Sequence, residues 1–206
     1  ILVQNASTVG HLDLKMLSQD NDNNFIFFDK LNANKFKFLY LLGSDNLEIK
    51  KNNEFIVYQG SHGDKGAEIA DVILPSAAYT EQNGFYSNLE GRIQECKKAS
   101  YPIGDSLEDW KIFNLILKKL GKINNLNNFE TLRKEAINSV TNFSQINDLP
   151  KKLMTKNNKN NSEFYSEEVL IKKLDYYYTN SISRASKTMS QCRQISEKKL
   201  KTGTNN

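Results

Sequence analysis

The sequence predicts an α/β domain: a short parallel sheet flanked by helices, followed by an extended or helical C-terminal arm. Three observations predict it. Residues 35–42 carry a near-continuous apolar run (Phe36, Phe38, Leu39, Tyr40, Leu41, Leu42) stopped by Gly43-Ser44-Asp45-Asn46. A continuous run, in contrast to alternation, marks a strand buried on both faces, as in a parallel sheet covered by helices. Two further strand-sized runs, 55–58 and 71–74, are joined by a loop with Gly60, Gly63 and Gly66 and room for only a turn or two of helix. That is the length of a compact crossover in an open α/β sheet. Downstream, residues 110–120 place apolar side chains at helical spacing.

Taken in order, Val9, Leu12 and Met16 define a helical segment over 9–16, weakened by Gly10, that reads as the end of a helix whose start is missing. Residues 19–24 are polar and turn-like, and Phe25-Ile26-Phe27-Phe28 is an aromatic patch that composition assigns to no one state. The strands over 35–42, 55–58 and 71–74 follow, ended by Gly43, Gly60 and Pro75, with one or two helical turns over 66–70. Residues 84–94, containing Gly84, Asn88 and Gly91, read as a loop with a short hairpin. Ser106 stands as an N-cap before Glu108 and Asp109. Trp110, Phe113, Leu117 and Leu120 then share one helical face, and Gly121 sits at the C-terminal cap. A second helix is predicted over 130–140 with Leu132, Ala136, Ile137 and Val140 inward. Composition changes after Pro150. Residues 1–150 form the α/β domain, 151–163 an exposed Asn/Lys-rich linker, and 164–206 the arm, with 182–196 a final helix or extended segment.

Composition narrows the function. The chain has 206 residues, a net charge of +4 and 38% hydrophobic residues, with a mean hydropathy of −0.60 and a pI near 8.9. Lys alternates with Asp and Glu along most of the chain and clusters only at Glu197-Lys198-Lys199-Leu200-Lys201, so the one-sided basic face of a nucleic-acid binder is not expected. Cys96 and Cys192 form no CxxC pair, which argues against a zinc site or iron–sulfur cluster and for two separate reduced thiols. No run approaches the ~20 apolar residues of a membrane span. The first residue is Ile1, with neither a signal peptide nor an Arg/Ser-rich presequence behind it, so the chain reads as processed, started at an unusual codon, or a piece of a longer one.

Several residues could carry chemistry, and each has a plainer reading. Gly60, Gly63 and Gly66 could let amides approach a phosphate, or build a tight turn for close strand–helix packing. The pattern is neither GxGxxG nor a P-loop. His62 could pair with Asp64 to orient a base, or serve as a hydrogen-bonding loop residue. Glu81 and Glu90 flank Arg92, and the arginine points to an ion pair fixing the loop. Asp71 before a strand reads as a turn acceptor. Tyr176-Tyr177-Tyr178 suits a protein contact, and Ser181, Ser183 and Ser186 beside Arg184 form a candidate phosphorylation site. No catalytic or metal-binding residue is assigned.

The motifs together resemble a known family. Gly60-Ser61-His62-Gly63-Asp64-Lys65-Gly66, Ala70-Asp71-Val72-Ile73-Leu74-Pro75, Asn88-Leu89-Glu90-Gly91-Arg92 and Glu108-Asp109-Trp110 are similar to the C-terminal part of the large iron–sulfur subunits (75 kDa or G type) of respiratory complex I, NADH–ubiquinone oxidoreductase. Farther on, Asp175-Tyr176-Tyr177, Ser181-Ile182-Ser183-Arg184-Ala185-Ser186 and Thr188-Met189 resemble the mitochondrial tail. That region in turn resembles molybdopterin oxidoreductases, which implies a Rossmann-like sheet as a relic domain. The cluster-ligand cysteine motifs of the family's N-terminal region have no counterpart here, and Ser76 stands where glycine is common. The resemblance implies a structural half-subunit of the peripheral arm, on the matrix side of the mitochondrial inner membrane, with no cofactor of its own. Iron–sulfur clusters and FMN would reside in partner chains: the N-terminal iron–sulfur half and other peripheral-arm subunits. Its incomplete sheet would need covering by another chain. The rival readings are an active molybdopterin oxidoreductase subunit and a basic nucleic-acid-binding module.

Overall fold

The computed structural model describes residues 6–16, 24–47, 49–122, 125–148 and 175–201. The chain divides into two compact units, Ile1–Pro150 and Lys151–Asn206. The predicted linker over 151–163 lies outside the described residues.

In the first unit, α1 (Ala6–Asp13) and α2 (Asn24–Asn32) precede β1 (Phe38–Leu42), β2 (Phe55–Gly60), α3 (Lys65–Glu68) and β3 (Val72–Pro75). β1, β2 and β3 form a three-stranded sheet in that order, parallel throughout, with Leu39 opposite Ile56, Leu41 opposite Tyr58 and Val57 opposite Val72. The aromatic patch at 25–28 is therefore helical. α1 begins and ends about three residues earlier than its apolar spacing suggests. Its last turn is closed by Met16 and Lys15 amides bonding the His11 and Leu12 carbonyls, with Lys15 in the left-handed region at φ 53°. Asn34, at φ 53°, ends α2 the same way.

One sheet face holds the core. Leu39, Leu41, Ile56 and Tyr58 pack with Leu31 of α2, and Phe36, Leu47, Ile49, Ala67, Ile69 and Ala70 close over them. Each fully buried aliphatic side chain contributes about 1.5–3 kcal/mol. The expectation that the first strand is buried on both faces is corrected: Phe38 and Leu42 are 54% and 45% exposed. The second face is covered in part: Val57 is buried there, and a later helix meets Tyr40 and Gln59.

After β3 comes an antiparallel hairpin, β4 (Gly84–Ser87) and β5 (Ile93–Cys96), where a hairpin was predicted. α4 (Asp109–Lys119) follows. Ser106 does not cap it; its hydroxyl bonds the Ile103 carbonyl at 2.7 Å, and Glu108 occupies the N-cap position without a side-chain cap. The predicted inward face is also corrected. Ile112 is the buried residue of α4, whereas Phe113 and Leu120 are 37% and 68% exposed. Gly121 has the left-handed φ, 69°, that its C-terminal position requires. α5 (Phe129–Ser139) starts at a reciprocal capping box between Asn128 and Thr131. Its predicted inward residues are only half-buried. A 3-10 turn, Thr141–Gln145, buries Phe143 against Phe85 of the hairpin.

The second unit, where described, holds α6 (Ser181–Ala185) and α7 (Lys187–Lys201). The stretch 182–196, read as a final helix or extended segment, is helical in two pieces, divided where Ser186 turns extended and offers its hydroxyl to the Met189 amide at 3.4 Å. Among the described residues no helix is long and apolar enough to cross a membrane.

Candidate functional site

The glycine loop leaves the carboxyl end of β2, the position at which open α/β sheets present ligands. Here the loop wraps a side chain of its own chain. Tyr58 is 2% exposed, and its hydroxyl donates to the His62 carbonyl at 2.6 Å. A Cβ on Gly60 would lie 2.3 Å from that hydroxyl, and one on Gly66 would lie 2.5 Å from the Ser44 carbonyl oxygen and 3.1 Å from the Tyr58 ring. Gly63 has ordinary room, its nearest neighbour being Ala67 Cβ at 3.7 Å. The amides at the start of α3 are occupied. Lys65 N bonds the Asp64 carboxylate at 2.9 Å, Gly66 N the Asp45 carbonyl at 3.1 Å, and Ala67 and Glu68 N the Asp64 carbonyl.

Other candidates resolve individually. The His62 ring meets the Ser61 hydroxyl at 3.0 Å, while the Asp64 carboxylate caps α3; the structure does not bring His62 and Asp64 into a pair. Asp71 is an acceptor, but across the sheet and not within a turn. Its carboxylate takes the Ile56 amide at 2.8 Å and Lys51 Nζ at 2.6 Å. The Lys51 hydrogen bond and then the Ile56 amide hold its pKa below the usual carboxylate range. The expected ion pair at Arg92 is corrected. Arg92 Nη2 donates to the Asn147 carbonyl at 3.1 Å, and Glu81 accepts the Ala78 amide at 3.0 Å. The Asn88–Arg92 turn is held by Asn88, whose side-chain oxygen accepts the Glu90 and Arg92 amides at 3.0 and 2.9 Å. Gly91 supplies a φ of 82°. Asn147 also clasps β5, its amide bonding the Ile93 carbonyl at 2.7 Å and its side chain accepting the Glu95 amide at 3.2 Å. Arg133 of α5 holds Glu95 through two bonds of 3.1 and 3.0 Å, which lower the Glu95 pKa.

Sequence reasoning missed the most connected polar cluster. Gln59, fully buried in β2, accepts a hydrogen bond from Tyr40 and donates to Asp109 Oδ1 at 2.6 Å. Gln82 donates to Asp109 Oδ2 at 2.9 Å and accepts the Asp109 amide at 3.1 Å. The cluster fastens the first turn of α4 to the sheet, and Asp109 sits where the helix dipole favours an anion. Burial, and then the Asp109 charge, push the Tyr40 phenol pKa upward. Tyr40 is thus a proton-holding donor, not a base. Beside it Glu108, 3% exposed, accepts from Trp110 Nε1 and Lys111 Nζ, both at 3.0 Å, and pairs with Lys98 at 3.4 Å. Burial alone would raise the Glu108 pKa, but those two hydrogen bonds and the lysine charges bring it below its ordinary value. A glutamine followed by glycine at a strand end was the available signal for Gln59; nothing local joins it to Asp109.

In the second unit Arg193 bonds Asp175 at 2.6 Å, reaches Glu197 at 3.3 Å and lies over the Tyr178 ring at 4.8 Å. Tyr176 is exposed. Ser183 forms a capping box with Asn180 at the start of α6. Cys96 and Cys192 are free thiols. Among the described residues no group of three or more His, Cys, Asp or Glu side chains is gathered as a metal site would need.

Comparison with known proteins adds the family. Residues 1–119, the sheet, the glycine loop, the hairpin and α4, match the family described as molybdopterin oxidoreductase. The chain belongs to the molybdopterin oxidoreductase family. Residues 136–192 match a second family, described as the C-terminal region of the NADH-ubiquinone oxidoreductase G subunit. The chain is 38% identical over 200 residues to the NADH-ubiquinone oxidoreductase 75 kDa subunit of Reclinomonas americana, a match covering 95% of this chain and 28% of the relative. It is 37% identical over 206 residues to the NADH-quinone oxidoreductase G subunit of Rickettsia typhi, covering 97% and 28%. Identity is 38% over 215 residues to the mitochondrial 78 kDa subunit of NADH-ubiquinone oxidoreductase from Candida albicans, covering 93% and 27%. The chain thus spans little more than a quarter of the length of these curated relatives. Ser76, the residue after Leu74-Pro75, is buried at 6% and forms a bridge to Leu107.

Proposed function

We propose that this chain is a structural portion of the large G-type subunit in the peripheral arm of complex I, on the matrix side of the mitochondrial inner membrane. In this role it packs beside the cluster-bearing portion and holds no redox centre of its own. The activity it supports is electron transfer from NADH to ubiquinone coupled to proton pumping, with FMN and iron–sulfur clusters in neighbouring chains. The observation that carries the reading is the match over nearly the whole chain to complex I subunits, together with the two family matches along it. The glycine loop gives physical support. Its interior holds Tyr58, and the amides that would grip an anion bond Asp64 and Asp45 instead. The polar cluster around Gln59 is internally satisfied and acts as a fastening for α4.

The test is purification under mild detergent from the native source through a tag on this chain. The expected result is co-purification with NADH–ubiquinone reductase activity and the cluster-bearing portion of a G-type subunit, with no molybdenum or tungsten in stoichiometric amount. Stoichiometric molybdenum or tungsten would favour the active oxidoreductase reading; a chain recovered without complex I subunits would sink the proposal.

A further inference from the structure

The topology singles out one edge of the sheet. The strands run β1, β2, β3 in chain order, all parallel. Leu47 and Ile49, between β1 and β2, and Ala67, Ile69 and Ala70, between β2 and β3, pack on the same core face. Leu31 of α2, which leads into β1, belongs to that core as well. Crossovers between parallel strands are right-handed in nearly all sheets, so connections on one face carry the chain across the sheet in one direction. If α2 closes such a crossover, the strand that opens it, ahead of α1 and α2 in the chain, lies on the side of β1 away from β2.

The two edges differ in the way this implies. β3 is partly occupied on its outer side. Leu107 N donates to the Pro75 carbonyl at 3.2 Å, Ala77 N donates to the Leu107 carbonyl at 2.8 Å, and Pro75 has no N–H to offer. On β1, the ladder to β2 begins at the Lys37 carbonyl and ends at the Gly43 amide. This turns the backbone groups of Phe38, Tyr40 and Leu42 outward, and among the described residues no strand pairs with them. Residues 38–42 contain no charge and no proline, the usual protections of a free edge. Phe38 and Phe55, 54% and 48% exposed, stack at 6.4 Å on the uncovered face beside that edge, and Tyr40 links Phe38 to Phe113.

We propose that a further parallel strand, from the portion of a G-type subunit that this chain does not span, pairs with the outer edge of β1 and brings apolar cover over Phe38 and Phe55. The occupant follows from length: the relatives carry most of their residues outside the 28% that matches here, and an all-parallel sheet is stable when both faces are covered. This rests on the reading proposed above and names the seam at which the two portions join.

Hydrogen–deuterium exchange of the assembled complex, read residue by residue through fragmentation mass spectrometry, tests it. The amides of Phe38, Tyr40 and Leu42 are expected to exchange as slowly as those of Leu39 and Leu41, about a hundredfold or more below exposed amides. A photoreactive amino acid in place of Phe38 is expected to capture the cluster-bearing portion of a G-type subunit. Fast exchange at Phe38, Tyr40 and Leu42 in an intact complex overturns the seam and leaves the complex I reading standing. So does capture of a second copy of this chain or of an unrelated protein of the complex. A complex purified without this chain overturns both.

Discussion

Replacing Gly60 with alanine tests the account of the glycine loop. The backbone at Gly60 is not left-handed, so the cost comes from space. The new Cβ would lie 2.3, 2.6 and 2.9 Å from the hydroxyl, Cζ and Cε1 atoms of Tyr58. Tyr58 is 2% exposed and anchored by its bond to the His62 carbonyl, so it cannot step aside without breaking that bond. Overpacking of this kind costs about 1–3 kcal/mol, and loss of the buried hydrogen bond adds about 1 kcal/mol. Reduced freedom of the unfolded chain offsets roughly 0.4–1 kcal/mol. The net expectation is destabilisation by about 2 kcal/mol. Gly63→Ala, with no contact closer than 3.7 Å, is expected to be neutral or slightly stabilising. The assay is urea unfolding followed by fluorescence of Trp110, the single tryptophan of the chain. In a Tyr58→Leu background the penalty of Gly60→Ala should largely disappear, and the double-mutant cycle measures that coupling. If Gly63→Ala harms the protein as much as Gly60→Ala, or if the Tyr58→Leu background leaves the penalty intact, the loop is not a wrapper for Tyr58 and the reasoning fails.

Other outcomes follow from single contacts. Because the Glu108 pKa lies below its unfolded value, its contribution to stability is full above about pH 4.5 and is lost as pH falls through the folded value; Glu108→Gln should flatten that part of the acid unfolding curve. Gly91→Ala places a side chain at φ 82° with open space around it, so strain alone should cost about 1 kcal/mol, read as a lowered Tm. Asn88→Ala strips the acceptor from the Glu90 and Arg92 amides and should cost about 1 kcal/mol in urea unfolding. Asp71→Asn keeps the acceptor for Ile56 and should leave the unfolding midpoint nearly unchanged, whereas Asp71→Ala should lower it visibly.

What was legible in the sequence was whatever a single local pattern determines. The three strands, the hairpin and the helix ending at Gly121 each have a run and a stop signal, and each appears within about three residues of its predicted bounds. The errors share a physical origin: the pattern reports that a side chain is apolar, not whether a neighbour is present to cover it. Phe38 and Leu42 read as buried because they sit in an unbroken apolar run, yet their face of the sheet is covered only in part among the described residues. Leu120 fell on the predicted inward stripe of α4, but it is Ile112 that is buried. Ser106 had the right chemistry for a cap and the wrong distance, three residues before the first helical turn. The Gln59–Asp109 bond joins residues 50 apart in sequence, a separation at which no local rule operates, and Arg92 found Asn147 in preference to its near neighbours for the same reason.

The grip of Asn147 on β5 has a practical consequence for anyone who divides this protein. Sequence similarity draws one module ending at residue 119 and another beginning at 136, and a cut between them looks natural. Such a cut would strip the Ile93 carbonyl, the Glu95 amide and the Arg92 guanidinium of their partner at one stroke, and Glu95 of Arg133. The hairpin would lose its third wall. A shortened version carried through Pro150 keeps the hinge pin with the door; the stretch that resembles the opening of the next module is the fastening of the one before.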